Sequence, residues 1–360
     1  MKIGIAGAGL LGRLLALNLG RQGHEVHVYD PATGPEGRGA AGWTAAGMLS
    51  PTAELESADE HIFQQGLRSL TLWSEIIPSL KQHVSLSHAG SLLLSFQQDI
   101  GTAMRLVGLL EQKAPSGHKP CALTLQELKA LEPDIHGPGK AWLLPHEGHL
   151  NTVEAMAALQ SSAPNTEWHW ATRIVHVRPG QLQSEQETLS FDHVFDARGT
   201  GMSNTEKSFS AHDIDCCNVR GVRGEIFWVQ APGVRLERPV RLLHPRHRVY
   251  VVPRSNHTFV IGASELESED RSPVSLRSTV ELLIAAHSIL PGLAEARLMH
   301  HETNLRPSLA DNLPRIEHQA GMTRINGLFR HGWLIAPAVV EEALHQFDPA
   351  VFSIPITTTP

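Results

Sequence analysis

Three glycines and one aspartate near the start of the chain have the spacing of a nucleotide-binding loop. The stretch KIGIAGAGLLGRLLAL at residues 2–17 contains Gly7, Gly9 and Gly12 in a GxGxxG pattern. There the first glycine allows a tight turn, the second lets a pyrophosphate approach the backbone, and the third lets a helix pack closely on a strand. Asp30 follows at a distance where a carboxylate can accept hydrogen bonds from ribose hydroxyls. These residues could bind a dinucleotide, either NAD or FAD.

The strand and helix predicted on either side of this loop indicate its function. Residues 2–6 are apolar and strand-like, residues 10–21 have helical apolar spacing, and residues 25–30, EVHVYD, are typical of a second strand. The glycines therefore follow a strand and open a helix, which favours dinucleotide binding over an ordinary tight turn. A signal peptide is disfavoured because Arg13 and Arg21 interrupt the apolar run.

Beyond this first unit the alternation of strands and helices breaks. Helical patterns occupy residues 57–81 and 273–290, and two shorter ones lie within 98–131; residues 90–96 are typical of a strand. Strands dominate from 167 to 263, including HRVYVVP and TFVIGAS on either side of a turn at Ser255, Asn256 and His257. The pattern predicts an α/β nucleotide domain interrupted by a β-rich domain.

Composition excludes several classes of function. The net charge of -7, without a cluster of basic residues, disfavours nucleic acid as a partner. No apolar stretch is long enough for a membrane span. Cys121, Cys216 and Cys217 are too few for a disulfide framework, which favours a reducing compartment, the cytoplasm by default. The 22 histidines are dispersed without HxxxH or HExxH spacing, so no metal site is predicted. A small-molecule ligand is expected.

A series of segments along the chain resembles one family of flavoenzymes. Residues 41–56, AGWTAAGMLSPTAELE, are rich in small residues that leave room for a ligand beside the backbone. With the glycine loop they resemble the D-amino-acid-oxidase superfamily, and within it the bacterial glycine oxidases of thiamine synthesis. The resemblance continues in order at 148–159, 191–203, 219–227, 249–254, 260–267, 305–316 and 326–337.

The resemblance implies FAD as cofactor and two interleaved domains. A Rossmann-like FAD-binding domain would comprise residues 1–84, 141–218 and 300–360, and an α+β substrate domain on an antiparallel sheet would comprise residues 85–140 and 219–299. A helix beginning near Gly332 would direct its positive N-terminal end at the flavin. The implied cofactor-binding residues are Gly7, Gly9, Leu10, Leu11, Gly12, Asp30, Thr44, Ala45, Ala46, Gly47, Met48, Ile174, Ala197, Arg198, Gly199, Arg306, Phe329, Arg330, His331, Gly332, Trp333 and Leu334.

Two arginines are candidates for binding a substrate carboxylate. Arg306 lies in the LRP motif where the family places its carboxylate-binding arginine, and a guanidinium matches a carboxylate with two parallel hydrogen bonds. The alternative is that Arg306 pairs with an acid of the chain, such as Glu302. Arg330, in FRHG, also matches a family arginine, and either binds substrate or only shapes the pocket.

Three further residues are expected around the substrate. Tyr250 is one of two tyrosines in the chain and lies on a strand that in the family covers the flavin. Its hydroxyl would donate to the carboxylate, unless it is an ordinary core tyrosine. Arg248, two residues earlier, points to the same face of the strand and makes the pocket more cationic. Met48 would form an adaptable pocket wall, although methionine is also common in cores.

The activity implied is oxidative deamination of glycine, sarcosine or a small D-amino acid, by hydride transfer to flavin N5 and reoxidation by O2 to give H2O2. Leu328, His331 and Glu317 depart from the family pattern and leave the substrate open. Three alternatives remain: a dehydrogenase that passes electrons to a quinone, a flavoprotein that matures a quinone cofactor in a partner protein, and an NAD-dependent dehydrogenase. A homo-oligomer is left open.

Overall fold

The computed structural model describes residues 1–202, 216, 218–243 and 248–350, with Arg248 described by its backbone alone. Its helices are α1 Leu10–Arg21, α2 Pro51–Glu54, α3 Glu60–Ile76, α4 Ile100–Lys113, α5 Leu125–Leu131, α6 Thr152–Ser162, α7 Leu276–Ile289 and α8 Gly332–Phe347. Its strands are β1 Lys2–Ala6, β2 Glu25–Tyr29, β3 Met48–Leu49, β4 Leu86–Ser87, β5 Ser91–Ser95, β6 Cys121–Leu123, β7 Lys140–Leu144, β8 Gly148–Leu150, β9 Thr166–His169, β10 Ile174–Arg178, β11 Gln181–Ser184, β12 Thr188–Ser190, β13 His193–Asp196, β14 Arg220–Gln230, β15 Val240–Leu243, β16 Arg248–Arg254, β17 Thr258–Gly262, β18 Arg297–Ser308, β19 Arg315–Gln319 and β20 Met322–Asn326.

A six-stranded sheet carries the N-terminal unit. Its strand order is β19-β20-β13-β1-β2-β9, and every neighbouring pair is parallel except β19 with β20. Helix α1 buries its leucines in one core with Val26 and Val28 of β2. Because side chains alternate along a strand, the intervening His27 points to the opposite face of the sheet. The predicted β1-α1-β2 unit is confirmed.

An eight-stranded sheet forms the second layer. Its order is β18-β14-β17-β16-β15-β5-β7-β6, with antiparallel pairing throughout apart from the parallel contact of β15 with β5. Helix α7 closes a core over it, in which Leu282 and Ile289 pack with Phe227 and Phe259. The hairpin of β16 and β17 turns at the predicted residues, with Asn256 in the left-handed region at φ 57°. The mixed α/β fold class is confirmed.

Two of the domain limits expected from sequence do not coincide with the strands. Strand β18, Arg297–Ser308, pairs with β14 along its length, so a limit at 299/300 divides a strand of the eight-stranded sheet. Strand β7, Lys140–Leu144, pairs with β5 and β6 in that sheet, although residues from 141 onward were expected in the FAD-binding domain. In both cases, pairing with residues that are distant in sequence determines which sheet the strand joins. The remaining limits stay a prediction.

Two three-stranded sheets, β3-β8-β4 and β10-β11-β12, complete the topology of the described residues. The first joins Met48 to His149, which fixes the segment that follows Gly47. None of the described helices combines the length and the apolar character needed to cross a membrane.

Candidate functional site

A cavity of about 1020 Å³ lies between the two large sheets and draws its walls from both. All the predicted site residues line it except Gly12, which lies behind the loop, and Arg248, whose side chain lies outside the described residues. Those that line it are Gly7, Gly9, Leu10, Leu11, Asp30, Thr44, Ala45, Ala46, Gly47, Met48, Ile174, Ala197, Arg198, Gly199, Tyr250, Arg306, Phe329, Arg330, His331, Gly332, Trp333 and Leu334.

Two glycines of the loop, Gly7 and Gly12, have room for backbone only. Gly7 adopts φ +102°, and a Cβ there would lie 2.6 Å from the carbonyl oxygen of Ala197. A Cβ on Gly12 would lie 1.9 Å from the carbonyl oxygen of Gly7, so the start of α1 packs directly on the turn. The Asp30 carboxylate accepts a hydrogen bond from the backbone N–H of Ala8, at 2.7 Å, and so also holds the loop in place.

The opposite end of the cavity is formed by the start of α8. This helix begins at Gly332, as predicted, and the residues from Leu328 to Leu334 line the cavity. The first N–H groups of a helix carry a partial positive charge and attract an anionic ligand. The chain thus presents a glycine loop and a helix N-terminus to one space. These features fit a dinucleotide such as FAD, and the volume is at the upper end of the range for ligand pockets.

Arg306 reaches the cavity as a cation without a carboxylate partner among the described residues. Both terminal nitrogens donate to the backbone carbonyl of Ser264 at 3.1 Å. Its guanidinium lies against Gly224, where a Cβ would come within 2.5 Å of it. Burial lowers the pKa of Arg306, and Tyr250 opposes this shift. The alternative pairing with Glu302 is wrong.

Glu302 is held by other residues. Its carboxylate lies 2.5 Å from Nη1 of Arg38 and accepts a hydrogen bond from the Thr44 hydroxyl at 3.0 Å. Glu302 and Arg306 both belong to β18, but the first faces the segment that follows the glycine loop and the second faces Ser264. Glu302 therefore does not neutralise Arg306, and the positive charge of Arg306 is available to a ligand.

Tyr250 lies close to this guanidinium. Its hydroxyl sits over Gly262, where a Cβ would lie 2.6 Å away, and it makes no hydrogen bond to a described residue. Burial raises the pKa of Tyr250, against the opposing charges of Arg306, Arg241 and Arg254. The phenol therefore stays protonated at neutral pH and can donate to a ligand in the cavity.

Arg330, by contrast, is surrounded by partners. Its Nε donates to the Glu54 carboxylate at 3.0 Å, Nη2 donates to the Ser57 hydroxyl, and Nη1 lies 3.6 Å from Glu265. Because acids balance its charge, these contacts favour the pocket-shaping interpretation over direct substrate binding. Either role of Arg330 stays a prediction.

The acid at the centre of this cluster, Glu54, was missed by the sequence reasoning. Its carboxylate lies 3.1 Å from Nδ1 of His331 and 3.6 Å from Arg241, in addition to Arg330. Burial alone would raise the pKa of Glu54, but these three groups hold it well below its usual range. The available signal was an acid at the end of the small-residue segment 41–56. Arg241 had no signal, because only the fold brings it near.

We expect Glu54→Gln to lower the free energy of unfolding by about 3 kcal/mol at neutral pH, because it removes the carboxylate beside the half-buried guanidinium of Arg241 and leaves Arg330 with Glu265 alone as an ion-pair partner among the described residues. The carboxyl pKa is lowered on folding, so its stabilisation is present above the unfolded pKa of about 4.5 and declines as the pH falls below it. Urea unfolding at pH 7.5 and at pH 4 measures both effects. Glu295→Gln, at a side chain that is 92% exposed, is the control. Equal stability of Glu54→Gln and wild type at both values would contradict the assignment.

The three departures from the family pattern have distinct positions. Glu317 is not among the residues that line the cavity; it lies 3.9 Å from Arg324 on the neighbouring strand β20 and accepts a hydrogen bond from the backbone of Cys216. It therefore does not repel a ligand carboxylate. Leu328 is buried in the cavity wall, and His331 contacts Glu54.

Comparisons with known proteins agree with this geometry. A protein of Rhizobium etli that carries the name thiamine biosynthesis oxidoreductase ThiO is 34% identical over 95% of each chain. The glycine oxidase of Geobacillus kaustophilus is 24% identical over 98% of this chain and 96% of its own. Its crystal structure matches with a TM-score of 0.81, covering 97% of this chain and 94% of that chain at 21% identity. The iminodiacetate oxidase of Chelativorans matches with a TM-score of 0.82, covering 99% and 98% at 21% identity.

A family model gives the identification. The model for FAD dependent oxidoreductases, DAO, matches residues 2–344, which is nearly the whole chain. The match includes the glycine loop, Tyr250, Arg306 and the start of α8. An NAD-dependent dehydrogenase, one of the alternatives considered from sequence, is therefore wrong. The chain belongs to the DAO family of FAD dependent oxidoreductases, and its cofactor is FAD.

Proposed function

We propose that this enzyme oxidises a small amino acid or amine, such as glycine, sarcosine or a small D-amino acid, and returns the electrons to O2. The observation that carries the proposal is Arg306, a half-buried cation that lines the cavity without a carboxylate partner among the described residues. The names of the relatives, glycine oxidase and thiamine biosynthesis oxidoreductase, support the substrate class.

Arg306 and Tyr250 together hold the substrate carboxylate. Arg306 binds the carboxylate with two parallel hydrogen bonds, and the protonated Tyr250 hydroxyl donates a third. Two anchors fix the orientation of the α-carbon, and orientation is what a hydride donor requires most. Glu54 neutralises Arg330 and Arg241, so the carboxylate is directed to Arg306 rather than to a neighbouring cation.

The remaining walls keep water out. Met48, Ala46 and Val249 present apolar surface to the cavity, where Ala46 and Met48 pack with the apolar face of β14 and β17. When bound, FAD supplies the two-electron acceptor for the amine. The substrate amine must be neutral for its α-carbon to lose hydride, and an apolar surrounding favours that form. The overall balance for a primary amino acid is amino acid, water and O2 converted to keto acid, ammonia and H2O2; for sarcosine, methylamine takes the place of ammonia.

The test is reduction of the purified holoenzyme without air, followed at 450 nm, with glycine, sarcosine and small D-amino acids. We expect one of them to bleach the flavin within seconds, and air to restore the colour with one H2O2 per substrate consumed. Bleaching that a quinone dye reverses far faster than air would contradict O2 as the acceptor. If no amine bleaches the flavin, the amine proposal is wrong and maturation of a partner protein is favoured.

A place in thiamine synthesis and in the cytoplasm belongs to the same proposal. The name of the Rhizobium relative supports the first, and the free thiol of Cys121 is consistent with the second.

A further inference from the structure

We propose that His27, His169 and Glu167, none of which lines the FAD cavity, bind a divalent transition-metal ion such as zinc. The proposal does not depend on the substrate of the enzyme. The three residues lie on the parallel neighbours β2 and β9, where His27 is opposite Glu167 and Tyr29 is opposite His169. Their ligand atoms all lie within 4.8 Å of one another. Two imidazoles with one carboxylate are a common ligand set for zinc.

The distances between the ligand atoms are those of a tetrahedral site. Nδ1 of His27 lies 3.1 Å from Nε2 of His169 and 3.5 Å from the Glu167 carboxylate. Nε2 of His169 lies 3.8 Å from Oε1 of Glu167, whereas the 3.5 Å contact of His27 is with Oε2 of the same carboxylate. Bonds of about 2.0–2.1 Å to zinc place neighbouring ligand atoms about 3.3 Å apart. An ion can therefore be accommodated with small side-chain rotations, and the fourth position remains for water.

A second carboxylate prepares His27 for this role. The Glu25 carboxylate lies 2.9 Å from Nε2 of His27, so it accepts the proton of that nitrogen and leaves Nδ1 with its lone pair. A carboxylate behind a metal-binding histidine fixes the ring and raises its basicity. The other imidazole is also fixed, because the His169 ring stacks on Tyr29 with ring centres 4.3 Å apart and 7° between the planes.

The surroundings favour a cation and give it access. The carboxylates of Glu25 and Glu167 flank the histidines, and the negative charge of Glu187 acts on His169. Lys2 and the N-terminal amino group are the opposing positive charges. The two histidine side chains are 12% and 27% exposed and the Glu167 side chain is 67% exposed, so an ion reaches the site from solvent. Protein therefore covers most of the space around the ligand atoms, and solvent reaches them from one side.

Sequence spacing alone does not reveal this arrangement. The segments E-V-H at residues 25–27 and E-W-H at residues 167–169 are two copies of an E-x-H pattern. In a strand, residues two apart share a face, so each copy places its acid and its histidine on one side. Parallel pairing of β2 with β9 then brings the copies together. Helical HxxxH spacing does not describe a site of this kind, because its ligands come from two paired strands.

The test is zinc titration of the untagged holoenzyme, stripped of metal with a chelator and competed against a coloured zinc indicator. We expect one tight site per chain, and a loss of affinity of about 100-fold in His27→Ala and His169→Ala. Glu25→Gln should weaken binding about 10-fold through the orientation of His27. His287→Gln, at an exposed histidine on α7, is the matched control and should bind as wild type does.

A spectroscopic measurement separates ligand loss from unfolding. Cobalt in place of zinc should give a visible band at longer wavelength than flavin absorption, and the band should disappear in His169→Ala. Glu167→Gln removes an exposed carboxylate and should leave the fold intact while it weakens zinc binding. Absence of a tight site, or equal affinity in wild type, His27→Ala and Glu167→Gln, would overturn the proposal.

Discussion

Replacement of Arg306 by alanine is expected to lower kcat/KM for the best amino-acid substrate by about 1,000-fold, or roughly 4 kcal/mol. The guanidinium is half-buried beside the cavity, and both terminal nitrogens already donate to the carbonyl of Ser264. That contact fixes the fork without supplying a carboxylate, and no described carboxylate lies within ion-pair distance, although the more distant charge of Glu265 favours the charged guanidinium. A substrate carboxylate would supply the missing counter-charge, so the loss should appear in substrate binding and in flavin reduction. Stopped-flow reduction without air measures both.

The comparison with lysine isolates the geometry of the contact. Arg306→Lys keeps a positive charge but loses the planar fork, so we expect a loss between that of alanine and wild type. Arg277→Ala, at a side chain on α7 that is 82% exposed, is the matched control and should reduce at the wild-type rate. Retained FAD absorbance confirms an intact cofactor site in each variant. Unchanged reduction kinetics in Arg306→Ala would remove this residue from the site.

Introduction of a methyl group at Gly12 is expected to abolish FAD retention during purification. The new Cβ would lie 1.9 Å from the carbonyl oxygen of Gly7, and neither atom is on a flexible side chain. Either α1 moves away from the sheet or the turn at Gly7 opens, and both changes disturb the cofactor loop. Overpacking of this kind costs about 1–3 kcal/mol or more in stability. The ratio of absorbance at 450 nm to that at 280 nm reports the retained flavin.

The matched control for this variant is Gly108→Ala. Gly108 also lies within a helix, α4, but a Cβ there meets no atom within 4 Å. Alanine in an open helical position stabilises by about 0.4–1 kcal/mol, so the control should gain stability and keep its flavin. Gly12→Ala protein that retains full FAD content would show that α1 does not need close contact with the turn.

Local features of the sequence predicted the parts of the site that short segments build. The glycine loop of the site, and the hairpin turn at Asn256 outside it, each depend on a few adjacent residues with recognisable backbone preferences, whereas the start of α8 at Gly332 was expected from the family resemblance. The cluster of Glu54 with Arg241, Arg330 and His331 was not predictable in this way. Its members are up to 277 positions apart, and only the fold brings Glu54 of α2, Arg241 of β15 and the residues just before α8 together.

Strand pairing determines the contacts of Arg306 and Glu302, which sequence patterns could not predict. The pairing of β18 with β14 along its length, rather than a boundary near residue 300, places Arg306 beside Ser264. The alternative pairing of Arg306 with Glu302 was reasonable on separation alone, since the two are four residues apart. Residues at even spacing share a face of a regular strand, yet Glu302 reaches Arg38 and Thr44 instead.

The interleaved connectivity also limits how this enzyme can be rebuilt. The eight-stranded sheet takes β5, β6 and β7 from one stretch of chain and β14 to β18 from another, while the walls of the cavity run from Gly7 to Leu334. The eight-stranded sheet is therefore not built by one continuous segment, and a single exchange of sequence could not transfer it to a relative. Exchange of specificity between relatives would need several simultaneous crossovers, whereas point changes on β16 and β18 leave the chain path untouched.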